Sequence, residues 1–198
     1  MAVAGAAMHR GNPNLAAATA ERALTEIRAI GGSSFEPMLI LALAYAQQGR
    51  VDDALVALES VPADGSDHPF THAVAALIYA AARQPEVAIG HADSVTVVSG
   101  ATYLDQVFAY VAAAAAALQM GDTAHAELTA QAAVARAMAV GDVVAIALST
   151  EIFHAITATL HSAHDERTPL GEGWVTLLQL LADTSSDATP APMATASE

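Results

Sequence analysis

The chain has 198 residues, of which 54% are apolar, and carries a formal net charge of −14. All seven basic residues are Arg and form no basic stripe, so charge argues against nucleic acid and against an anionic membrane as partners. The absence of Cys excludes disulfides, thiolate metal sites and cysteine nucleophiles. A quarter of the residues are Ala and only 5% are aromatic, which favours helices in close contact through small side chains over a thick globular core.

Taken in chain order, Met1 to Met8 are small and apolar, with His9 and Arg10 after them instead of before, so no signal peptide is read. This stretch resembles the second half of a helix. It points to a domain cut from a larger protein, to a short reading frame derived from one, or to a deliberately short capping helix. Asn12 before Pro13 marks a helix start. Ser33 and Glu36 have capping-box spacing ahead of Met38 to Ala46. Asp67 or His68 precedes Pro69, Gln84 precedes Pro85, Asp122 follows Gly121, Asp142 follows Gly141, and Thr168 precedes Pro169. Gly11, Gly31, Gly49, Gly100, Gly121 and Gly141 stand where the apolar periodicity breaks, as left-handed C-caps do.

These signals predict helices near 1–9, 14–30, 35–48, 51–61, 69–82, 85–98, 102–120, 123–139, 142–163 and 169–182. No run of alternating β-branched residues predicts a sheet. The apolar run from Val107 to Leu118 covers 12 residues, short of the roughly 20 that span a bilayer. Asp105 and Asp122 flank it, so a buried helix is expected. The segment 184–198, rich in Ser, Thr, Ala and Pro, reads as a disordered tail.

A register runs through the helices. Leu41, Ala42, Tyr45, Gly49, Ala54 and Leu58 form one pattern, and 34 residues later Ala75, Ala76, Tyr79 and Ala88 occupy matching places. A fixed period of this length predicts stacked helical hairpins, each too small to fold alone. Ala42 and Ala54 would let two helices approach closely, while Leu41, Tyr45 and Leu58 fill the space beside them.

These residues resemble the tetratricopeptide repeat, counting position 1 at Phe35 and again at Pro69, where Arg83 replaces the turn Gly. A third copy around Gly121 places Tyr110, Ala114, Ala117 and Ala126. The resemblance implies an all-α, right-handed α-solenoid of antiparallel hairpins with about ten helices. Its parts would be an incomplete first repeat at 1–34, repeats at 35–66, 67–100 and 101–140, and a divergent last repeat with a capping helix at 141–183. Trp174, Val175, Leu177, Leu178, Leu180 and Leu181 would lie on that capping helix and close the open end.

The resemblance also implies a concave, partner-binding face. Carried over residue by residue, it comprises Glu36, Leu39, Leu43, Ala46 and Gln47 in one copy. The next contributes Phe70, Ala73, Leu77, Ala80 and Ala81, and the third Phe108, Val111, Ala115, Leu118 and Gln119. The face is mostly apolar and has no Arg or Lys to clamp a peptide carboxylate. It suits an apolar or helical protein segment, or else it is narrow and filled from within. A second resemblance rests on Gly100 to Val107, Gly121-Asp122 and Gly141-Asp142-Val143-Val144. This block is similar to the C-terminal repeat region of actinobacterial multidomain regulators, which carry a nucleotide-cyclase or P-loop ATPase domain ahead of the repeats. No cyclase or P-loop residues lie in this chain.

Two histidine groups raise a metal alternative: His68 with His72, and His161, His164, Asp165 and Glu166. A zinc site needs three or four converging ligands. His68 at a helix start need not align with His72, and the second group suits a helix C-terminus. Asp52 and Asp53 begin a helix, where the macrodipole explains them. No nucleophile elbow, P-loop or dinucleotide fingerprint is present. The expectation is a non-catalytic, cytoplasmic protein-interaction scaffold with no cofactor, metal or catalytic residue. It would be the regulatory or sensor module of a larger bacterial signalling protein, any catalysis belonging to an upstream domain. Self-association and a small helical metal-dependent enzyme are the alternatives.

Overall fold

The computed structural model describes residues 2–97, 99–158 and 170–184. The His161 group, the Thr168-Pro169 start and 185–198 lie outside these residues. The described chain is all-helical, with no strand. Its ten α-helices are α1 (Ala2–His9), α2 (Pro13–Ile30), α3 (Phe35–Gln47), α4 (Val51–Glu59), α5 (Pro69–Ala81), α6 (Pro85–Val97), α7 (Tyr103–Gln119), α8 (Thr123–Val140), α9 (Val143–Ala158) and α10 (Glu172–Ala182). A short 3-10 turn at Ala63–Gly65, not read from the sequence, joins α4 to α5.

Local chemistry sets the helix ends. The Asn12 side chain accepts from Leu15 N–H at 3.2 Å, and Asp122 accepts from His125 N–H at 3.0 Å. His68 Nδ1 accepts from Phe70 N–H at 3.2 Å, ahead of Pro69 at the first helical position. The six predicted C-cap glycines all have positive φ, between 68° and 93°. The predicted Ser33–Glu36 capping box does not form: α3 starts after Ser34 without a side-chain cap, because the Ser33 hydroxyl donates to Asp64 at 2.6 Å. A box does form at α7. Thr102 N–H donates to Asp105 Oδ2 at 2.7 Å, and Asp105 N–H donates to Thr102 Oγ1 at 3.2 Å. That reciprocal pair satisfies a carboxylate only 3% exposed.

Each helix from α1 to α9 packs on its successor, and the odd helices also pack in order: α1 on α3, α3 on α5, α5 on α7, α7 on α9. The odd helices therefore form an inner row, flanked by the even ones. Small residues make these seams. Ala42, Ala54, Ala76, Ala88, Ala114 and Ala126 are fully buried, and the ring of Tyr45 lies half-buried beside them. The middle helices α3, α5 and α7 are buried on nearly all sides, as α7 shows from Val107 to Leu118. No helix among the described residues is long and apolar enough to cross a membrane.

α10 departs from its expected place. It packs on α9 but also on α3, α5 and α7, so it lies across the inner row instead of capping one end. The physical reason is close approach. Gly173 N–H donates to Gly11 O at 3.1 Å, and a Cβ on Gly171 would fall 2.0 Å from Arg10 O. Only glycine at 171 lets α10 enter beside the α1–α2 turn. The row also bends back on itself: His9, ending α1, sits 3.2 Å from Asp142, which precedes α9.

Candidate interaction face

The residues expected to line a concave face sit on the inner row, and most are covered from within the chain. Leu39, Leu43, Ala73, Leu77 and Val111 are 0% exposed, Gln47 and Phe108 1%, and Leu118 5%. Ala46, Ala80, Ala81 and Ala115 are buried too. Phe70 and Gln119 are half-buried, and Glu36 is exposed. An open inner curve is thus not what the fold presents, because α10 stands in it. Its apolar spacing delivers Trp174, Leu177 and Leu181, each 0% exposed, to one side, while Val175 faces outward.

Contacts at its two ends fix α10. At its start the Trp174 ring lies against Phe108, with centroids 5.4 Å apart, and its Nε1 donates to His9 O at 2.8 Å. At its end Arg83 pairs with the Asp183 carboxylate at 2.8 Å and donates to the Asp183 carbonyl. Arg83 holds φ 61°, alone among the described non-glycine residues. Its charge at a helix C-terminus complements the macrodipole, although an ion pair this exposed contributes only about 0–1 kcal/mol. Arg83 is a basic residue at a face whose expected lining has none. The signal was present as an Arg in the place of the turn glycine.

Two amides complete the face. Gln47 Nε2 donates to Met8 O at 3.2 Å. Gln119 Nε2 donates to Ala80 O at 2.9 Å and reaches Leu181 O at 3.4 Å. Carbonyl acceptors fix both amides in one orientation, since a flip would set oxygen against oxygen. The Oε1 atoms of Gln47 and Gln119 are then buried without a hydrogen-bond partner. Each such orphan costs about 1–3 kcal/mol.

Polar clusters elsewhere join helix ends and neighbouring helices. Asp142 accepts from Val144 N–H, Ala145 N–H and the Tyr103 hydroxyl, the last at 2.6 Å, and faces His9. Burial alone would raise the Asp142 pKa, but these donors and His9 outweigh it and leave it below the usual carboxylate value. The hydrogen bond to Asp142, then burial and its charge, push the Tyr103 hydroxyl up to about 12, far from a usable nucleophile or base. His72 does not converge with His68; its Nδ1 lies 3.0 Å from His91 Nδ1. His68 instead packs against Phe35, with centroids 5.4 Å apart and planes tilted by 42°. Among the described residues no three His, Asp or Glu side chains are grouped to hold a metal. A cleft of about 210 Å³ between α9 and α10, walled by Ala155, Leu170, Val175 and Leu178, is below the ~300 Å³ of ordinary small-molecule pockets.

No family model matches the chain, and neither a curated protein nor a solved structure matches it.

Proposed function

We propose that the chain is a non-catalytic protein-interaction scaffold, built as a tetratricopeptide-like α-solenoid, that serves as the regulatory or sensor module of a larger bacterial signalling protein. The observation that carries this reading is the seating of an amphipathic helix on the inner row. A surface that holds α10 through an aromatic and two Leu anchors has the shape and chemistry for helix-in-groove recognition. The contacts between successive odd helices and the alanine seams support the solenoid. Excess acidic charge favours a partner whose net charge is basic or neutral.

Selection of displayed amphipathic peptides on the immobilised full chain tests this role. A recovered common pattern, with binding weakened by substitutions on the inner row, is the expected result. A selection that enriches no shared pattern, or peptides indifferent to every inner-row substitution, counts against it.

A further inference from the structure

α10 meets the apolar demands of its seat and leaves the polar ones unmet. Gln47 is 1% exposed, and its unpartnered Oε1 lies against the α10 backbone, 3.0 Å from where a Cβ on Gly173 would stand. The unpartnered Oε1 of Gln119 belongs to an amide that already reaches Leu181 O of α10. A buried acceptor without a donor costs free energy, so an occupant that supplied a donor to Gln47 would be held more tightly than α10 is. At the far end Arg83 keeps a left-handed backbone, costly for a residue with a Cβ, while it grips the end of α10. The turn after α5 requires that conformation, as the other helix ends do of glycine, and Arg here adds a side chain that reaches α10.

We propose that α10 is an internal ligand seated where a partner helix binds. The partner helix presents an aromatic residue, apolar side chains three and seven positions later, and an acidic residue nine positions later, as Trp174, Leu177, Leu181 and Asp183 do. It also supplies the donors to Gln47 and Gln119 that α10 lacks. α10 and the partner then compete, so apparent affinity is reduced by the fraction of molecules in which α10 is seated. The inference rests on the interaction-scaffold reading. Selected peptides that bind the inner row without displacing α10 would leave that reading standing and end this one.

The test uses the full chain and a fluorescently labelled synthetic peptide of residues 171–184. Wild type should bind the peptide weakly, because its own α10 fills the seat. Trp174→Ala/Leu177→Ala should bind at least about tenfold tighter, since its own helix has lost two anchors. Asp183→Arg, which repels Arg83 from the surface, should fall between them. Adding Phe108→Ala should abolish the gain, and peptide binding that survives it would place the peptide elsewhere and overturn the proposal. A folded Trp174→Ala/Leu177→Ala variant that binds no tighter than wild type would overturn it too. If that variant loses its helical circular dichroism, Asp183→Arg decides: tighter binding than wild type supports the proposal, and unchanged binding overturns it.

Discussion

Trp174 and Phe108 meet with ring centroids 5.4 Å apart and planes tilted by 54°, joining α10 to α7 across 66 residues of chain. The Trp174 indole is 0% exposed and its N–H is matched by the His9 carbonyl. Trp174→Ala removes the ring contact, leaves that carbonyl without its donor and opens a cavity. It should lower stability by about 3–5 kcal/mol. Chemical denaturation followed by circular dichroism measures the loss. In wild type, fluorescence of the single Trp should shift red in the same transition, and an earlier red shift would mean that α10 leaves before the rest unfolds.

The seating of α10 depends on glycine at a specific turn. Gly11 has φ 68°, and a Cβ there would stand 2.9 Å from Trp174 Cδ1 and 3.0 Å from Gly171 Cα. Gly141 has φ 77° with nothing within 4 Å of the same point. Gly141→Ala should therefore cost only the left-handed backbone term, about 1–2 kcal/mol. Gly11→Ala should cost at least about 1 kcal/mol more, through overpacking. Equal melting temperatures for the two variants would show that α10 yields freely at its first turn.

The alanine seam between α3 and α4 makes a separate demand. Ala54, on α4, is fully buried. Ala54→Leu adds a branched side chain where the helices touch and should destabilise by about 1–3 kcal/mol. Exposed Val56 on the same helix should accept Ala with a change under about 0.5 kcal/mol. Thermal unfolding of both variants checks the contrast.

Helix limits were legible because their determinants are local. Asn12, Asp122 and His68 accept from backbone donors two or three residues on, and Gly31 or Gly141 needs no distant partner to take positive φ. The Ser33 cap failed because a competitor 31 residues away, Asp64, takes its hydroxyl. The place of α10 was illegible for a related reason. Trp174, Leu177 and Leu181 make one apolar stripe whether a helix caps an end or crosses the inner row. What decides is the fit of Gly171 and Gly173 against Arg10, Pro13 and Gln47, contacts between distant segments. Arg83 in the turn and two glycines just before Trp174 were the signals available.

The Asp142 cluster predicts sensitivity at both pH extremes. The folded Asp142 pKa lies below its ordinary 3.8, so its contribution is complete above that value and is lost as pH falls through the lowered one. The folded Tyr103 pKa is raised from 10.0 to about 12, so its contribution is complete below 10.0 and is lost as pH rises towards about 12. Asp142→Asn should keep acceptance from Val144 and Ala145 N–H but remove the charge. Tyrosinate absorbance should then show Tyr103 titrating earlier, and the loss of stability in strong acid should shrink.

His91 predicts a third pH window. Its ring stacks on Tyr79 with centroids 5.4 Å apart and planes within 5°, and its Nδ1 lies 3.0 Å from that of His72. Burial, and secondarily the neighbouring His72, hold the His91 pKa below its ordinary 6.5. The unfolded chain takes up this proton near pH 6.5 while the folded chain resists it. Stability from this site is thus complete above that value and falls as pH drops through the lowered folded pKa. His91→Phe preserves an aromatic ring against Tyr79 and removes the titration. Its melting temperature should fall less than that of wild type between about pH 7 and about pH 5.5. Parallel curves for the two proteins would mean that protonation of His91 does not strain the α5–α6 hairpin.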